Sequence, residues 1–377
     1  MTIFMLSKER FDLLRKVREC AKQHGVECFL IGGIVRDILL LEEVHETDID
    51  LVVVGPVYSF ADALQTSIGG RIIPFKNFLT AKITGLHSHG ECTELDLAQA
   101  RKEVYESPGA LPEVHPATLE EDLARRDFTV NAIALSVTEL LKSYEPDTKI
   151  LRLDDTMLVD PRDGYGALRR RELQVLHSLS FIDDPTRIVR MYRYQNRLGF
   201  SVEEQTHEYA QNALKARCFS TISLQRLWNE VRKCLAEQSI KNLFPRLFHI
   251  GCFDERTGSQ LLGPKTEKVA HMYAEAVETF SVVERAELFH LMAIYELLGE
   301  AGYEMSRALG EIGSMPIGAG ISEYFSRIGV GKKSLKELMT LFQQLVGRCS
   351  HQSDEHLVLL EILISEYSSE KMKKGNT

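Results

Sequence analysis

Two aspartates, Asp48 and Asp50, open an apolar run that ends at Val54 and has the composition of a buried strand. Residues i and i+2 of a strand point to the same face, so the two carboxylates are predicted to lie side by side. Neighbouring carboxylates repel each other unless a cation lies between them. Oxygen ligands at the mouth of a buried strand suit Mg²⁺, which keeps coordination positions open for phosphate oxygens. The pattern therefore predicts a metal site formed by Asp48 and Asp50.

A third carboxylate is expected beside this pair, either to complete the metal shell or to accept a proton from an attacking hydroxyl group. Asp96 lies on the strand predicted at Cys92–Leu97, which we expect to neighbour the first. Glu94 shares the face of Asp96 and is the alternative third carboxylate. Aspartates at strand ends also occur as simple turn or cap residues, so the surrounding sequence has to decide between the two interpretations.

A glycine turn precedes the aspartates in the segment Ile31 to Asp37, which reads IGGIVRD. Gly32 and Gly33 follow a predicted strand and open a helix, so their backbone N–H groups are predicted to approach a triphosphate. Arg36 is expected to reach a phosphate as well. Two glycines alone indicate only a tight turn, and the interpretation rests on their position upstream of the aspartates.

The sequence RRDFTVNA, from Arg125 to Ala132, narrows the possibilities further. Together with GGIVRD and DID it resembles the head of the polymerase beta-like nucleotidyltransferases, in particular class II tRNA nucleotidyltransferases and bacterial poly(A) polymerases. The resemblance implies metal-dependent addition of nucleotides to an RNA 3′ end, with two Mg²⁺ ions as cofactor, CTP and ATP as substrates and the tRNA 3′ end as partner. It assigns Arg126 and Asp127 to the ribose, with Asn131 in support.

The segment Asp183 to Arg190 resembles the EDxxR element with which these enzymes select the base, although Asp183 stands where glutamate is usual. Asp184 and Arg187 are three residues apart, so the sequence predicts that they share a helix face, with Arg190 in support. One carboxylate acceptor and one guanidinium donor match the amino group and ring acceptors of both cytosine and adenine. A surface ion pair is the structural alternative.

Two later segments agree with the same family. Asp160-Pro161 followed by Asp163-Gly164 resembles the connector after the head, with Asp163 where the pattern DPxGG has its first glycine. The segment Ser223 to Arg226 with Glu230 resembles a neck-helix signature, and the spacing of four residues suggests an ion pair between its arginine and its glutamate. The resemblance covers approximately residues 29–235.

The apolar pattern predicts an α/β plus all-α fold: a small mixed-sheet head followed by an all-helical neck, body and tail. Strands are predicted at Val26–Ile31, Asp48–Val54, Arg71–Phe75, Ala81–Leu86 and Cys92–Leu97, and helices at 7–24, Tyr58–Ser67, Ser178–Leu198, Glu203–Ala216 and Ser223–Glu237. We expect a catalytic head at 1–155, a neck with the base-selecting element at 156–245, and a tRNA-binding body and tail at 246–377.

Composition limits the other classes of protein. The net charge of −9 argues against nucleic-acid binding by bulk charge, whereas arginines clustered between Arg169 and Arg226 predict a local phosphate-binding surface. No apolar run approaches the roughly 20 residues of a membrane helix, and no signal peptide is recognisable, so we expect a cytoplasmic protein without membrane contact. Seven cysteines without a CxxC pair argue against zinc and disulfides. The sequence indicates no protein partner.

The resemblance leaves the terminal specificity open. The chain adds all of CCA, only CC or only A, or it is a poly(A) polymerase or a catalytically inactive RNA-binding protein. CC-adding relatives have a shortened flexible loop before RRD, whereas here Arg101–Thr118 is long enough to be such a loop. Its length favours an enzyme that can add A, and the intact Asp48 and Asp50 argue against an inactive protein.

Overall fold

The computed structural model describes residues 2–5, 8–40, 48–88, 91–145 and 150–250. Contacts between residues divide the chain into two compact units, one of Met1–Asp183 with Phe200–Ala210 and the other of Asp184–Gly199 with Gln211–Thr377. Most of the predicted body and tail, from residue 251 onward, lies outside the described residues. No helix in the described ranges is both long and apolar enough to span a bilayer.

The first unit combines strands and helices. Its strands are β1 (Thr2–Met5), β2 (Glu27–Ile31), β3 (Asp48–Val54), β4 (Arg71–Phe75), β5 (Thr80–Ser88), β6 (Glu91–Gln99), β7 (Arg101–Val104), β8 (Glu113–Pro116), β9 (Ala134–Ser136), β10 (Tyr144–Glu145), β11 (Ile150–Leu153), β12 (Leu158–Val159), β13 (Glu172–Leu173) and β14 (Ser201–Val202). Its helices are α1 (Lys8–His24), α2 (Gly33–Leu40), α3 (Val57–Ile68), α4 (Leu119–Ala124), α5 (Val137–Lys142), α6 (Gly164–Arg170) and α7 (Ser180–Asp183).

The main sheet has the order β12-β9-β2-β3-β6-β5-β4. Only the central pair β3 and β6 runs parallel among these strands, and the other neighbours are antiparallel. The mixed-sheet head is thus confirmed, with its predicted strands in place. Parallel pairing requires a crossover, which here contains α3, β4 and β5.

The centre of the sheet is buried on both faces, as a near-continuous apolar strand predicts. Leu51, Val52 and Val53 of β3 are at most 1% exposed. On one face the core contains Val52 together with Leu119 and Leu123 of α4. Because side chains alternate along a strand, Asp50 points to the same face as Val52. The Asp50 carboxylate therefore lies on the face that α4 covers further along the strands.

The segment interpreted from its length as a flexible loop is a β-hairpin. Strand β7 pairs with β8 in antiparallel register from Arg101 with Pro116 to Val104 with Glu113. At the turn, the Gly109 N–H donates to the Ile182 carbonyl oxygen at 3.2 Å. A flexible loop is therefore not the correct description of this segment, because its backbone groups are paired within the first unit.

The helix predicted at Ser178–Leu198 is two helices, α7 and α8 (Thr186–Leu198). The break falls at Asp184-Pro185, because proline has no N–H to donate and disfavours helical geometry in the residue before it. The Asp184 carboxylate accepts the Thr186 N–H at 3.1 Å instead. The sequence had predicted that Asp184 and Arg187 share the face of one continuous helix. Asp184 instead precedes α8.

The second unit is helical over its described part, as expected for a neck. Helix α9 (Glu204–Lys215) ends in this unit, and α8 packs with α10 (Leu224–Leu235) and α11 (Leu243–His249). Its apolar core includes Ile188, Met191, Leu227, Val231, Leu243, Phe244 and Leu247, each at most 1% exposed. The amphipathic pattern of α8 and α10 accounts for this packing.

The connector segment that departs from the family pattern keeps the backbone that the pattern requires. Asp163, which replaces a glycine, has φ = 52°, in the left-handed region that aspartate tolerates better than most residues. The Asp160 carboxylate accepts the N–H groups of Gly164 and Tyr165 at 2.7 and 2.8 Å, which fixes the start of α6. A Cβ on Gly164 would lie 2.2 Å from the Thr129 carbonyl oxygen, so the position admits only glycine.

We predict that Gly164→Ala lowers the free energy of unfolding by about 1–3 kcal/mol, the usual cost of overpacking. The Thr129 carbonyl cannot move away freely because it accepts the Ala132 N–H at 2.9 Å. Urea unfolding measures the change. Gly25→Ala is the comparison, because Gly25 has a positive φ, unlike Gly164, and has no atom within 4 Å of the added Cβ, so its loss comes from backbone strain alone. Unchanged stability in Gly164→Ala would contradict the proposed clash.

Candidate active site

A row of charged side chains crosses the three strands β3, β6 and β5. Asp50 pairs with Asp96, and Asp96 pairs with Lys82 on its other side. The Lys82 Nζ lies 3.2 Å from Asp96 Oδ2 and 2.6 Å from Glu94 Oε2. The backbone of Asp48 pairs with that of Glu94, one step along the same strands. The predicted carboxylates of β3 and β6 are therefore neighbours in the sheet.

The chemistry of this row fits a divalent cation. No group of three or more histidine, cysteine, aspartate or glutamate side chains is arranged to hold a metal ion among the described residues, and the Asp48 side chain is not among those described. The nearby donors are carboxylate oxygens, the type that Mg²⁺ prefers. The Lys82 ammonium group already lies between two of them, which shows that the row accommodates a positive charge.

The glycine turn joins β2 to α2 next to the RRD segment. Gly32 has φ = 76°, a conformation that favours glycine, and its carbonyl accepts the Arg36 N–H at 3.1 Å. A Cβ on Gly32 would lie 3.9 Å from Arg126 Nη1. Gly33 is the first residue of α2. The turn predicted to approach a triphosphate and the arginine assigned to the ribose therefore lie side by side.

A buried chain of hydrogen bonds connects α2 to the ribose-binding candidate. The Arg36 guanidinium, 2% exposed, donates to Asp37 Oδ1 at 2.7 Å and to Asn131 Oδ1 at 3.0 Å. The Asn131 Nδ2 donates in turn to Asp127 Oδ1 at 3.1 Å, and the same oxygen accepts the Phe128 N–H at 2.8 Å. The geometry favours a positioning role for Arg36, while its contact with a phosphate stays a prediction.

The base-selecting candidates lie at the start of α8 in the second unit. Asp184 Oδ1 accepts the Thr186 hydroxyl at 2.6 Å and the Arg226 Nη2 at 2.9 Å. Arg187 is 5% exposed and its backbone N–H donates to the Asp184 carbonyl at 3.0 Å. Asp184 therefore caps α8 and is held by α10.

The second signature residue of α10 also supports α8. Glu230 is 3.5 Å from Arg190 and 2.6 Å from Lys233, whereas an ion pair with Arg226 was expected. Arg190 also donates to the Tyr194 hydroxyl at 3.1 Å. Both signature residues of α10 therefore contact residues of the base-selecting segment, which explains physically why they occur together in the sequence.

Comparison with known proteins agrees with this arrangement. Residues 28–174 match the poly A polymerase head domain. The head of this chain, residues 28–174, therefore belongs to the family of class II tRNA nucleotidyltransferase and poly(A) polymerase heads. This family is part of the polymerase beta-like nucleotidyltransferases, which generally use divalent metals.

Among the relatives are two A-adding tRNA nucleotidyltransferases. That of Aquifex aeolicus is 38% identical over 212 residues, and that of Halalkalibacterium halodurans is 34% identical over 245 residues. These matches cover 56% and 64% of this chain but only 23% and 53% of the relatives. A CC-adding tRNA nucleotidyltransferase of Deinococcus radiodurans is 35% identical over 211 residues, which are 56% of this chain and 50% of that protein.

Solved structures extend the likeness. A tRNA nucleotidyltransferase complexed with a primer tRNA and an incoming ATP analog has a TM-score of 0.61 and 25% identity, covering 96% of this chain and all of that one. A tRNA-processing enzyme with CTP has a TM-score of 0.61 and 27% identity, covering 95% of this chain and 90% of that one. The family fold therefore accounts for the order of head and helical neck.

Sequence reasoning missed two residues of this nucleotidyltransferase head. Lys82 was not predicted, because its contacts depend on the register of β5 against β6, which the sequence does not show. Asp122 is fully buried, at 0% exposed. Its Oδ1 lies 2.6 Å from Arg125 Nη2, and its Oδ2 lies 3.0 Å from Arg126 Nη2. Its spacing of three and four residues from these arginines on a short helix was a usable signal. Asp122 thereby fixes the guanidinium beside Gly32.

The ionisation of Asp122 makes the free energy of unfolding depend on pH. Burial alone would raise the pKa of Asp122, but the charges of Arg126 and Arg125 and their hydrogen bonds outweigh it and hold the pKa below its ordinary value. A depressed pKa means that the stabilisation is fully present above the unfolded-state pKa of about 3.9. It is lost as the pH falls through the folded-state pKa.

We predict that Asp122→Asn lowers the free energy of unfolding at pH 7 by about 3–5 kcal/mol, because it removes the buried negative charge that pairs with Arg125 and Arg126; Arg125 keeps its ion pair with Glu103. The gap to the unchanged protein should narrow as the pH falls below about 4. Urea unfolding at a series of pH values measures both effects. Glu120→Gln, on the exposed side of α4, should change little, and a gap that stays constant with pH would contradict the assignment.

Proposed function

We propose that this chain is a metal-dependent tRNA nucleotidyltransferase that adds the terminal A to the 3′ end of tRNA. The observation that carries the proposal is the row in which Asp50 pairs with Asp96 beside the glycine turn and the RRD segment. In the reaction the RNA 3′-hydroxyl oxygen bonds to the α-phosphorus of ATP, the bond to pyrophosphate breaks, and the hydroxyl proton is removed.

The chain's own residues divide this work. Asp48 and Asp50 would hold Mg²⁺, which neutralises charge that develops on the phosphate oxygens. Asp96 completes the metal shell or accepts the hydroxyl proton. Gly32 and Gly33 offer backbone N–H groups to the triphosphate at the start of α2. These assignments follow from donor type and from the pairing of β3 with β6.

Arg126 and Asp127 would recognise the ribose of the incoming nucleotide. A carboxylate is an acceptor for hydroxyl groups, and Asp127 Oδ1 accepts the Phe128 N–H and the Asn131 Nδ2. Asn131 holds that carboxylate in place, and Arg36 holds Asn131. A ribose hydroxyl that donates to Asp127 would thus meet a group whose orientation is already fixed.

Base selection is proposed for Asp184 and Arg187, with Arg190 in support. A carboxylate accepts the amino group of cytosine or adenine, and a guanidinium donates to a ring acceptor. Uracil and guanine place a carbonyl oxygen where that amino group would be. A site that leaves a buried polar group unpaired with the wrong base can discriminate by several powers of ten.

Sequence identity does not separate the products, because the A-adding relatives share 34% and 38% identity with this chain and the CC-adding relative shares 35%. One observation favours A as the product. The segment Arg101–Thr118, between Asp96 and RRD, is long enough to be the family's loop; here it forms the β7–β8 hairpin, and its Gly109 N–H donates to the Ile182 carbonyl. In the family this segment supports the use of ATP, and CC-adding relatives have it shortened.

Binding of tRNA is proposed for the arginine-rich part of the chain. Arg169, Arg170 and Arg171 are exposed, and so is Arg197 on α8. In contrast, Arg187 and Arg193 are buried, so we do not assign them to the phosphate-binding surface. A local set of exposed arginines is compatible with the overall charge of −9, because phosphate contacts depend on local charge.

The activity is tested with tRNA transcripts that end before CCA, after C and after CC, incubated with Mg²⁺ and with CTP and ATP singly or together. One A on the CC transcript alone supports the proposal. Addition of C as well assigns CC or complete CCA addition, and long A tracts indicate a poly(A) polymerase. No incorporation on any transcript would contradict nucleotidyl transfer.

Asp50→Asn should abolish incorporation, and Asp96→Asn should lower kcat by about 10²–10⁴-fold, the range for loss of an acid–base group. The reason is that each variant removes one carboxylate charge from the row. Asp62→Asn, on the exposed surface of α3, is the control and should keep full activity. Retention of activity in Asp50→Asn would show that the row is not the catalytic centre.

Asp184→Ala should weaken the preference for ATP over GTP and UTP more than it lowers the rate with ATP. Thr186→Ala separates base reading from helix capping, because it removes a donor to Asp184 but keeps the carboxylate. Asp184→Ala loses the cap and Thr186→Ala loses one side-chain hydrogen bond; each loss costs about 1 kcal/mol, so both variants should unfold at slightly lower urea concentration. Equal loss of base preference in both would assign Asp184 a structural role only.

A further inference from the structure

Lys82 occupies an unusual place in the head, because its ammonium group contacts two carboxylates of β6. Strand β5 pairs antiparallel with β6, which sets Lys82 directly opposite Asp96 on the same face. Its ammonium group contacts Asp96 at 3.2 Å and Glu94 at 2.6 Å. The side chain is 26% exposed, so it is partly screened yet still reaches solvent.

The two carboxylates hold Lys82 unequally. Glu94 accepts the shorter hydrogen bond and is the principal reason that the pKa of Lys82 lies above its ordinary value. Asp96 is the more distant partner and belongs to the row with Asp50. The positive charge of Lys82 is therefore shared between Asp96, which belongs to the proposed catalytic row, and Glu94, which lies two residues before Asp96 on β6.

A divalent cation bound at Asp96 would face the Lys82 charge at close range. Like charges a few ångströms apart repel strongly at the edge of a protein. The lysine side chain is long and has three donors on a rotatable ammonium group, so it can keep Glu94 while leaving Asp96. Glu94 thus provides an acceptor that retains Lys82 when Asp96 acquires another cation.

We propose that Lys82 is a positioning residue that substitutes for a metal ion: its ammonium group holds Asp96 beside Glu94 until a divalent cation replaces it at Asp96, and Glu94 then retains it. The role rests on the proposed function of the row, and it adds competition between a built-in cation and the metal for one carboxylate. It also explains how the metal-free row tolerates several neighbouring carboxylates.

The test measures binding of Mn²⁺ alone to the full chain, by the loss of the paramagnetic resonance signal of free Mn²⁺. Lys82→Met keeps the length of the side chain and removes its charge, so Mn²⁺ should bind about fivefold tighter or more. Lys82→Arg keeps the charge and should bind Mn²⁺ within about twofold of the unchanged protein. Lys76→Met, an exposed lysine in the turn between β4 and β5, is the matched control and should leave the affinity unchanged.

A double-mutant cycle with Asp96→Asn identifies the path of the effect. If Lys82 acts through Asp96, Lys82→Met should tighten Mn²⁺ binding clearly less in the Asp96→Asn background. An equal gain in both backgrounds, an equal gain from Lys76→Met, or an unchanged or weaker affinity in Lys82→Met would each overturn the proposal, as would a protein that binds no Mn²⁺.

The metal titration and the tRNA assay test the two proposals separately, so either proposal can be contradicted while the other is retained. A protein that binds Mn²⁺ with the predicted pattern but adds no nucleotide would retain the Lys82 exchange and contradict nucleotidyl transfer. A protein that adds nucleotides while Lys82→Met leaves Mn²⁺ affinity unchanged would retain the transferase and contradict the exchange. Because Lys82→Arg preserves the charge, it also shows whether any loss in Lys82→Met comes from folding.

Discussion

The parallel pairing of β3 with β6 is the constraint on which the head depends. It sets Asp50 beside Asp96 and the backbone of Asp48 beside that of Glu94, so the register concentrates negative charge at one edge of a buried strand pair. Such an arrangement is unfavourable unless positive charge joins it. Lys82 supplies one such charge from β5, and the need for more explains why the row suits a divalent cation.

The rest of the head fixes charged groups by burying them in pairs. Asp122 is completely enclosed and is matched by two guanidinium groups, while Arg36 is matched by Asp37 and by the Asn131 side-chain oxygen. A buried charge without a partner is costly, so these groups can adopt few alternative positions. The rigidity that a nucleotide site needs thus comes from the core itself, through side chains that need not touch a substrate.

Much of this head follows from the sequence because local patterns determine it. The alternation along Asp48–Val54 sets the strand and the shared face of its aspartates, and the glycines of IGGIVRD set the turn. The interior contacts of Arg36 do not follow in the same way. An arginine after a glycine turn suggests a phosphate ligand, but Asn131 lies 95 residues away, and only the packing of α2 against the RRDFT segment brings the two together.

Register and helix breaks account for the other differences. Lys82 meets Asp96 because a β-bulge between Ile83 and Leu86 and the β4–β5 turn determine how β5 lies on β6, and no local pattern encodes that alignment. Asp184 looked like a residue inside a helix because helical periodicity continues through it. Its side chain instead accepts the Thr186 N–H at the start of α8, and Arg226 donates to the same carboxylate from α10.

The position of Asp184 has a consequence for specificity. A carboxylate that caps a helix and binds an arginine has its orientation set before any base arrives, so little side-chain entropy remains to be lost on binding. The same bonds occupy Oδ1, which accepts the Thr186 N–H, the Thr186 hydroxyl and Arg226. In the base selection proposed for Asp184, the other carboxylate oxygen would accept the amino group, and a single fixed acceptor would favour cytosine and adenine over bases that present a carbonyl oxygen there.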